Sequence, residues 1–290
     1  MGAALPASLV VRIVRHNYHE LERLPVDGKV PEDPEGAAAP CGIWPMAAVV
    51  NHSLRPNVAR AFLSRALCYR LLRDVAAGEE LVDNYIDPRL PFEEREAFLA
   101  RAHLFRDEGP DANDAPRELF TGLERRCAEV RKLLEAGSLK EAQASLEALA
   151  TCCRESEVRD PAFTDVLWLY ADVAGELLGD PERRLHCLLV ALGYVMGRET
   201  YSAVSASLAA EVLHAALDAG GSPAQLRAAE ATAREHAGRV YGAEPGLFEV
   251  LNPGLCQQLR QRGIAAPVAV EPLGGACGAA FADSWLSKLD

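Results

Sequence analysis

The sequence predicts an α+β protein in which a small β-rich unit precedes an all-α domain of stacked helical hairpins. Three observations carry this. Between Cys41 and Tyr85 the apolar runs are short and separated by turn residues, as in strands. Beyond Pro116 the apolar residues recur with the period of a helix. The helical stretch is then broken at Gly137-Ser138, Gly179-Asp180 and Gly220-Gly221, at intervals of about forty residues, close to the length of helix-pair repeats.

In chain order, Val10, Val11, Ile13, Val14, Tyr18 and Leu21 fit a short helix over 9–24. It ends at Pro25, and the Gly/Pro/Asp/Ala-rich stretch through Pro40 reads as a mobile loop. Strands follow at Val58 to Leu63, at Ala66 to Leu72 after a Ser64-Arg65 turn, and at Glu80 to Tyr85 after Ala77-Gly78. Phe92 to His103 reads as a helix, with Phe92, Phe98, Leu99 and Ala102 on its apolar side and Glu93, Glu94, Arg95 and Glu96 solvated. Residues 107–116 form a linker. Leu119, Leu123, Cys127, Val130 and Leu134 then make one stripe, and Leu139, Ala142, Leu146 and Leu149 a second, which is a helical hairpin. The helical domain runs over 117–262, and little in the Gly/Ala/Pro-rich tail 263–290 predicts order. The spacing is tetratricopeptide-like, but residue identities do not repeat, and an irregular bundle fits as well.

Composition narrows the functional classes. The 290 residues are 49% hydrophobic and 25% charged, which describes an ordinary globular chain. A formal net charge of −12 and a pI near 5.1 leave no basic face for phosphates, so neither nucleic acid nor an acidic membrane is an expected partner. A basic, lysine-bearing protein suits it better. No secretory leader or membrane span is read, so the chain is expected to be intracellular, and the lack of a basic import cluster tilts this toward the cytoplasm over the nucleus. Eight cysteines without CxxC spacing suggest reduced, buried thiols. His16 and His19 lack partners at metal spacing and read as surface or loop residues.

Two segments carry chemical information: Gly42-Ile43-Trp44-Pro45 leading to Asn51-His52-Ser53-Leu54-Arg55-Pro56-Asn57, and Gly78-Glu79-Glu80-Leu81-Val82-Asp83-Asn84-Tyr85-Ile86-Asp87. Together they resemble the SET domain of protein lysine methyltransferases, in the split form of SET-and-MYND proteins with C-terminal helical repeats. That family carries a glycine-aromatic-proline segment, NHSCxPN, a β-hairpin and a GEELxxxYxD strand. Two such motifs in order are specific where either alone is weak. The resemblance covers residues 41–106, as SET core motifs over 41–87 and a post-SET helix over 88–106, with 1–40 as helix and loop ahead of them.

Methyl transfer to lysine requires a neutral amine, although free lysine has a pKa of about 10.4, and in-line alignment supplies much of the rate. By resemblance, S-adenosylmethionine is the donor, Asn51 and His52 contact it, and the Tyr85 hydroxyl orients the reacting groups. Asn17 resembles a further cofactor-contacting asparagine, and Phe105 the aromatic that packs on adenine. Plainer alternatives stand beside these. Asn17 could cap a helix or sit in a turn, Tyr85 could be a core strand aromatic, and Phe105 could simply pack.

Two departures qualify the resemblance. Leu54 stands where the family has a zinc-binding cysteine, and 106–113 lacks the CxCxxC cluster, so no zinc is expected. Met1 to Ser8 has neither the glycine spacing nor the alternation of the first SET strands, so the N-terminal half of the domain is expected to be missing. The expectation is a S-adenosylmethionine-dependent protein-lysine methyltransferase by ancestry, acting on a histone or non-histone lysine, with turnover by this chain in question. The alternative is a non-catalytic scaffold whose helical domain holds a protein partner.

Overall fold

The computed structural model of the chain describes residues 11, 14, 17–20, 26–27, 41–63, 66–87, 89–106, 117–155, 163–198, 201–242 and 246–264. The expected Ser64-Arg65 turn, the linker 107–116 and all but the start of the tail lie outside them.

Among the described residues the strands form three two-stranded pairings. Strands β4 (Val58–Leu63) and β5 (Ala66–Leu71) make an antiparallel hairpin with Val58 opposite Leu71 and Leu63 opposite Ala66. Alternation turns Ala59 and Ala61 of β4 toward a buried cluster shared with the helices. Strand β3 (Asn51–His52) pairs in parallel with β6 (Val82–Asp83), which brings the two sequence motifs side by side. The fold is therefore α+β, with few short strands and a helical remainder.

The helix expected over 9–24 is corrected. Val11, Val14 and Asn17 are helical, but Tyr18–Glu20 is strand β1, antiparallel to β2 (Cys41–Ile43). A local apolar period cannot reveal a partner strand more than twenty residues away, and such pairing overrides propensity. The expected mobile loop is also tied down at one point. The Asp27 carboxylate accepts from the backbone N–H of Gly254 at 3.2 Å and of Leu255 at 3.0 Å, while its own N–H donates to the Leu251 carbonyl at 2.8 Å. It caps the helix over Pro253–Gln261 from outside that helix's own sequence.

Helix α1 (Phe92–Ala102) carries Glu93 and Glu94 in its first turn and Arg101 in its last, matching the helix dipole. Its Arg95, expected to be solvated, is fully buried. The guanidinium donates to the Leu90 carbonyl at 3.0 Å and lies over the Phe92 ring at 5.8 Å, which offsets the cost of removing a cation from water.

The helical region runs α2 (Arg117–Glu135), α3 (Leu139–Glu155), α4 (Phe163–Asp172, continuing into a π-turn at Val173–Leu177), α5 (Pro181–Arg198), α6 (Ala203–Asp218), α7 (Pro223–Val240), α8 (Leu247–Leu251) and α9 (Pro253–Gln261). From α2 to α8 each helix packs on its successor. The breaks anticipated at Gly137, Gly179 and Gly220 are turns in which these residues adopt left-handed backbone angles. Ser202 with Ser205, and Ser222 with Gln225, close capping boxes at the starts of α6 and α7. The two anticipated stripes supply buried Leu123, Cys127, Val130, Ala142, Leu146 and Leu149 to the core, whereas Leu139 at the start of α3 is exposed.

Ionic contacts join the β-rich part to the helices. Arg89 binds Asp87 at 2.6 Å and reaches Asp165 on α4 at 2.9 Å, close to the segment that carries Tyr85.

Candidate functional site

The parallel pairing of β3 with β6 sets the site. Ser53 N–H donates to the Asp83 carbonyl at 2.9 Å, and Asn57 N–H to the Val82 carbonyl at 3.1 Å, so the two motifs are laced together over their length. The Asn57 side chain completes the lacing. Only 1% exposed, it accepts from Val82 N–H at 2.9 Å and donates to the Glu80 carbonyl at 2.8 Å and to Glu79 Oε1 at 3.3 Å. Glu79 also binds Arg73 and the Ala76 N–H, and these contacts, the Arg73 bond first, hold its carboxyl down at about 2. The GEE segment thereby becomes a fixed support for the strand that follows.

Tyr85 emerges from that support. Its N–H donates to His52 Nδ1 at 3.1 Å, and its hydroxyl donates to the Val50 carbonyl. The first bond fixes His52 Nδ1 as an acceptor, which selects the neutral ring with any proton on Nε2. Burial raises the Tyr85 phenol above its ordinary pKa, with the Asp83 charge adding to the effect. Tyr69 is pushed up to about 12 by burial and, secondarily, by Asp83. Asp83, 4% exposed, pairs with Arg60 at 3.0 Å. Both phenols stay protonated at neutral pH, as hydrogen-bond donors rather than bases.

Around Tyr85 the rings gather. His52 lies 5.4 Å from it and 5.8 Å from Phe105, Phe105 lies 6.4 Å from Tyr85, and His103 sits closer still, 4.8 Å from Tyr85 and 6.1 Å from Phe105. Phe98 of α1 backs His103 at 5.8 Å. The chain reaches this position by ending α1 at His103 and turning through Leu104, whose φ of +65° is left-handed. That turn returns Phe105 to the rings with 37% of its surface exposed. The backbone there favours glycine, and Leu104 is itself 69% exposed. Leu104→Gly is therefore expected to raise stability by about 0.5–1 kcal/mol, measured as a higher urea midpoint, because strain is removed with little burial lost.

The five residues singled out from sequence fall into two sets. His52, Tyr85 and Phe105 come together. Asn51, their neighbour on β3, is exposed, and its amide donates to Glu80 Oε1 at 2.5 Å, in keeping with alternation along a strand. Asn17 is half-buried immediately before β1. From β1, His19 faces Trp44 at 6.2 Å and Phe62 at 6.4 Å, so it is a packed strand residue and not the surface or loop residue expected. Its pKa is lowered by burial first, then by the nearby charges of Arg60 and His103, which places β1 within electrostatic reach of the ring cluster. Gly42 belongs to this corner. A Cβ there would lie 2.8 Å from the Trp44 indole, so the glycine lets the ring fold back.

Sequence reasoning missed His103 and the Val50 carbonyl. The only signal for His103 was its place two residues before Phe105 at a helix end. Among the described residues no group of three or more His, Cys, Asp or Glu side chains could hold a metal ion. No helix among them is long and apolar enough to cross a membrane.

Comparison with known proteins bears on the same segment. The SET domain family matches residues 15–86, which takes in β1 and Asn17 ahead of the Cys41 start read from the motifs. The chain is 31% identical to "Histone-lysine N-methyltransferase SMYD3" of Mus musculus and of Homo sapiens over 96 residues, which are 32% of this chain and 22% of each relative. It is 34% identical to "N-lysine methyltransferase SMYD2-B" of Xenopus laevis over 74 residues, 26% of this chain and 17% of that one. The matched part thus spans about a fifth of the relatives' length.

Proposed function

We propose, from the premise that residues 15–86 are SET-domain sequence of the SMYD lysine-methyltransferase type, that this chain transfers a methyl group from S-adenosylmethionine to a lysine of a protein. The observation that carries the reading is the convergence of His52, Tyr85 and Phe105, drawn from three separated stretches, on one part-exposed ring cluster.

The residues present suit the donor. Phe105 offers an accessible ring face on which a purine can stack. Asn51 and Glu80 pair an exposed amide with an exposed carboxylate beside it, a donor-acceptor set suited to a zwitterionic amino acid. When bound, S-adenosylmethionine would supply an electrophilic methyl on a sulfonium, so that a new N–C bond forms as the C–S bond breaks.

The chain's own residues would do the rest. Tyr85, kept protonated and anchored between His52 and the Val50 carbonyl, presents a fixed dipole at the meeting point of the reactants. Packed against these rings, the lysine side chain would be partly desolvated, which would favour its neutral form. The net charge of −12 favours approach of a basic substrate. The lysine-bearing partner can be a histone or another protein.

A second reading has its own observation. The Tyr85 hydroxyl and the Asn51 amide are both occupied by internal partners, as they would be in a non-catalytic scaffold. One experiment separates the two. Under the enzyme reading, calorimetry detects S-adenosylmethionine, and Tyr85→Phe lowers turnover on a lysine-rich protein mixture by about a hundredfold while donor affinity changes less than about threefold. Absence of donor binding would favour the scaffold.

A further inference from the structure

Helix α9 has a capping side chain that does not cap. Its N-cap residue is Asn252, of a type well suited to accept from the first N–H groups of a helix, yet it makes no capping bond. Asp27, which lies in the chain between β1 and β2, takes those groups instead, accepting from Gly254 at 3.2 Å and Leu255 at 3.0 Å. The Asn252 side chain is turned back toward α8, where Nδ2 donates to the Phe248 carbonyl at 3.3 Å. Its Oδ1 is buried with no hydrogen-bond partner among the described residues, and Asn252 as a whole is 4% exposed. Exchanging the two ends of the amide would set oxygen against the Phe248 carbonyl, so the orientation stands. A buried acceptor without a partner is costly and calls for a reason.

The backbone agrees. Ser202 and Ser222, whose side chains cap α6 and α7, are extended, with ψ of 169° and 158°. Asn252 has ψ of 58°, short of the extended geometry usual for a residue that caps. Two features accommodate Asp27 in its place. Gly254 has no Cβ, and one built there would lie 2.8 Å from Asp27 Oδ2. Asp27 itself takes a φ of +50°, a left-handed angle that L residues adopt at a cost. The cap in place is therefore held against some strain, beside a second side chain of a kind that can replace it.

We propose that α9 has two interchangeable caps: when Asp27 withdraws, Asn252 opens to an extended backbone and turns Oδ1 onto the N–H groups of Gly254 and Leu255. The exchange gives up the longer bond to Phe248 and satisfies the unpaired acceptor together with both donors. Parting Asp27 from α9 then costs the difference between two caps and not the whole of one. The contact is thus a regulatory joint between the β-rich unit and the helical domain, able to open while both stay folded, and it needs no methyl donor.

Native-state hydrogen exchange of the Gly254 and Leu255 amides on the full chain tests the exchange of caps. Neither group has a partner within its own helix, so its protection reports the cap. In Asp27→Ala, protection should stay within about threefold of wild type because Asn252 takes over, and Asn252→Ala alone should leave it equally intact. The two substitutions together should lower it about five- to thirtyfold, the loss of a cap with no replacement. Combining Asp27→Ala with Asn252→Ser, which keeps a capping side chain, should restore it. Gly254→Ala offers a second route, since the added methyl displaces Asp27, spares both capping side chains and suits a helix; Leu255 should stay protected there. Amides that exchange as freely in Asp27→Ala or Gly254→Ala as in the double variant overturn the proposal, and so does a double variant that keeps its protection.

Discussion

Asn57→Ala is expected to lower folding stability by about 3–5 kcal/mol, read as a shift in the urea midpoint with an unchanged slope. The substitution removes three hydrogen bonds from a side chain that is 1% exposed. It also leaves the Val82 N–H and the Glu80 carbonyl, both in a part-buried setting, with one partner fewer. Each such loss costs about 1–3 kcal/mol, so the sum stands well above an ordinary point mutation. Since Asn57 holds the 79–82 segment that supports Tyr85, donor binding should weaken alongside stability. A variant with wild-type midpoint would show that the lacing between the two motifs contributes little.

Acidification should destabilise the chain well before carboxylates titrate, because of one histidine far from the ring cluster. His236 on α7 is 2% exposed, bonds Ser205 Oγ at 3.0 Å and packs tilted against Tyr201 at 5.1 Å. Burial pushes its pKa down to about 4. The unfolded chain takes up the proton from about pH 6.5 downward while the folded chain resists it, so stability is intact above 6.5 and is lost as pH falls toward 4. The loss should reach about 2.5 kcal/mol by about pH 4.5. His19, also lowered, adds in the same direction. The depressed carboxyls of Glu79, Glu147 and Glu249 act at lower pH still. Comparing wild type with His236→Gln isolates the contribution: the variant is less stable near neutrality but loses less between about pH 6.5 and 4.5. Equal slopes would show that His236 is accessible enough to ionise when folded.

Much of this fold could be read from the sequence because its determinants are local. Strands β4 and β5 fall on the apolar runs Val58 to Leu63 and Ala66 to Leu71. The helix from Phe92 has its acidic first turn, and the hairpin breaks fall on glycines that the turns require. Strand β1 could not be read, since three residues carry no periodicity of their own and their conformation depends on Cys41–Ile43. Arg95 was misjudged for a related reason. Its charge suggests solvent, while its burial depends on a carbonyl and a ring that only the folded helix start supplies.

The candidate site was half legible. His52, Tyr85 and Phe105 were recognisable from motif position, and the pairing of β3 with β6 explains why residues thirty apart meet. The role of Asn57 was hidden inside the motif that contains it, because spacing does not distinguish a side chain that faces a ligand from one that locks a strand. His103 carried no motif at all. It follows from geometry alone, through the left-handed turn at Leu104 that sets Phe105 beside it.

The cap that Asp27 places on α9 joins positions 227 and 228 apart in sequence. Such a contact can close only after the intervening helices have stacked, since loop closure on that scale is costly until other contacts hold the ends near one another. It belongs on the native side of the folding barrier. Asp27→Ala should therefore speed unfolding by about three- to tenfold and leave the refolding rate nearly unchanged in stopped-flow traces. A slowed refolding limb would instead place this long-range clasp in the nucleus. On the expected behaviour it acts as a latch on how long the folded chain survives, without influence on how quickly the chain finds its fold.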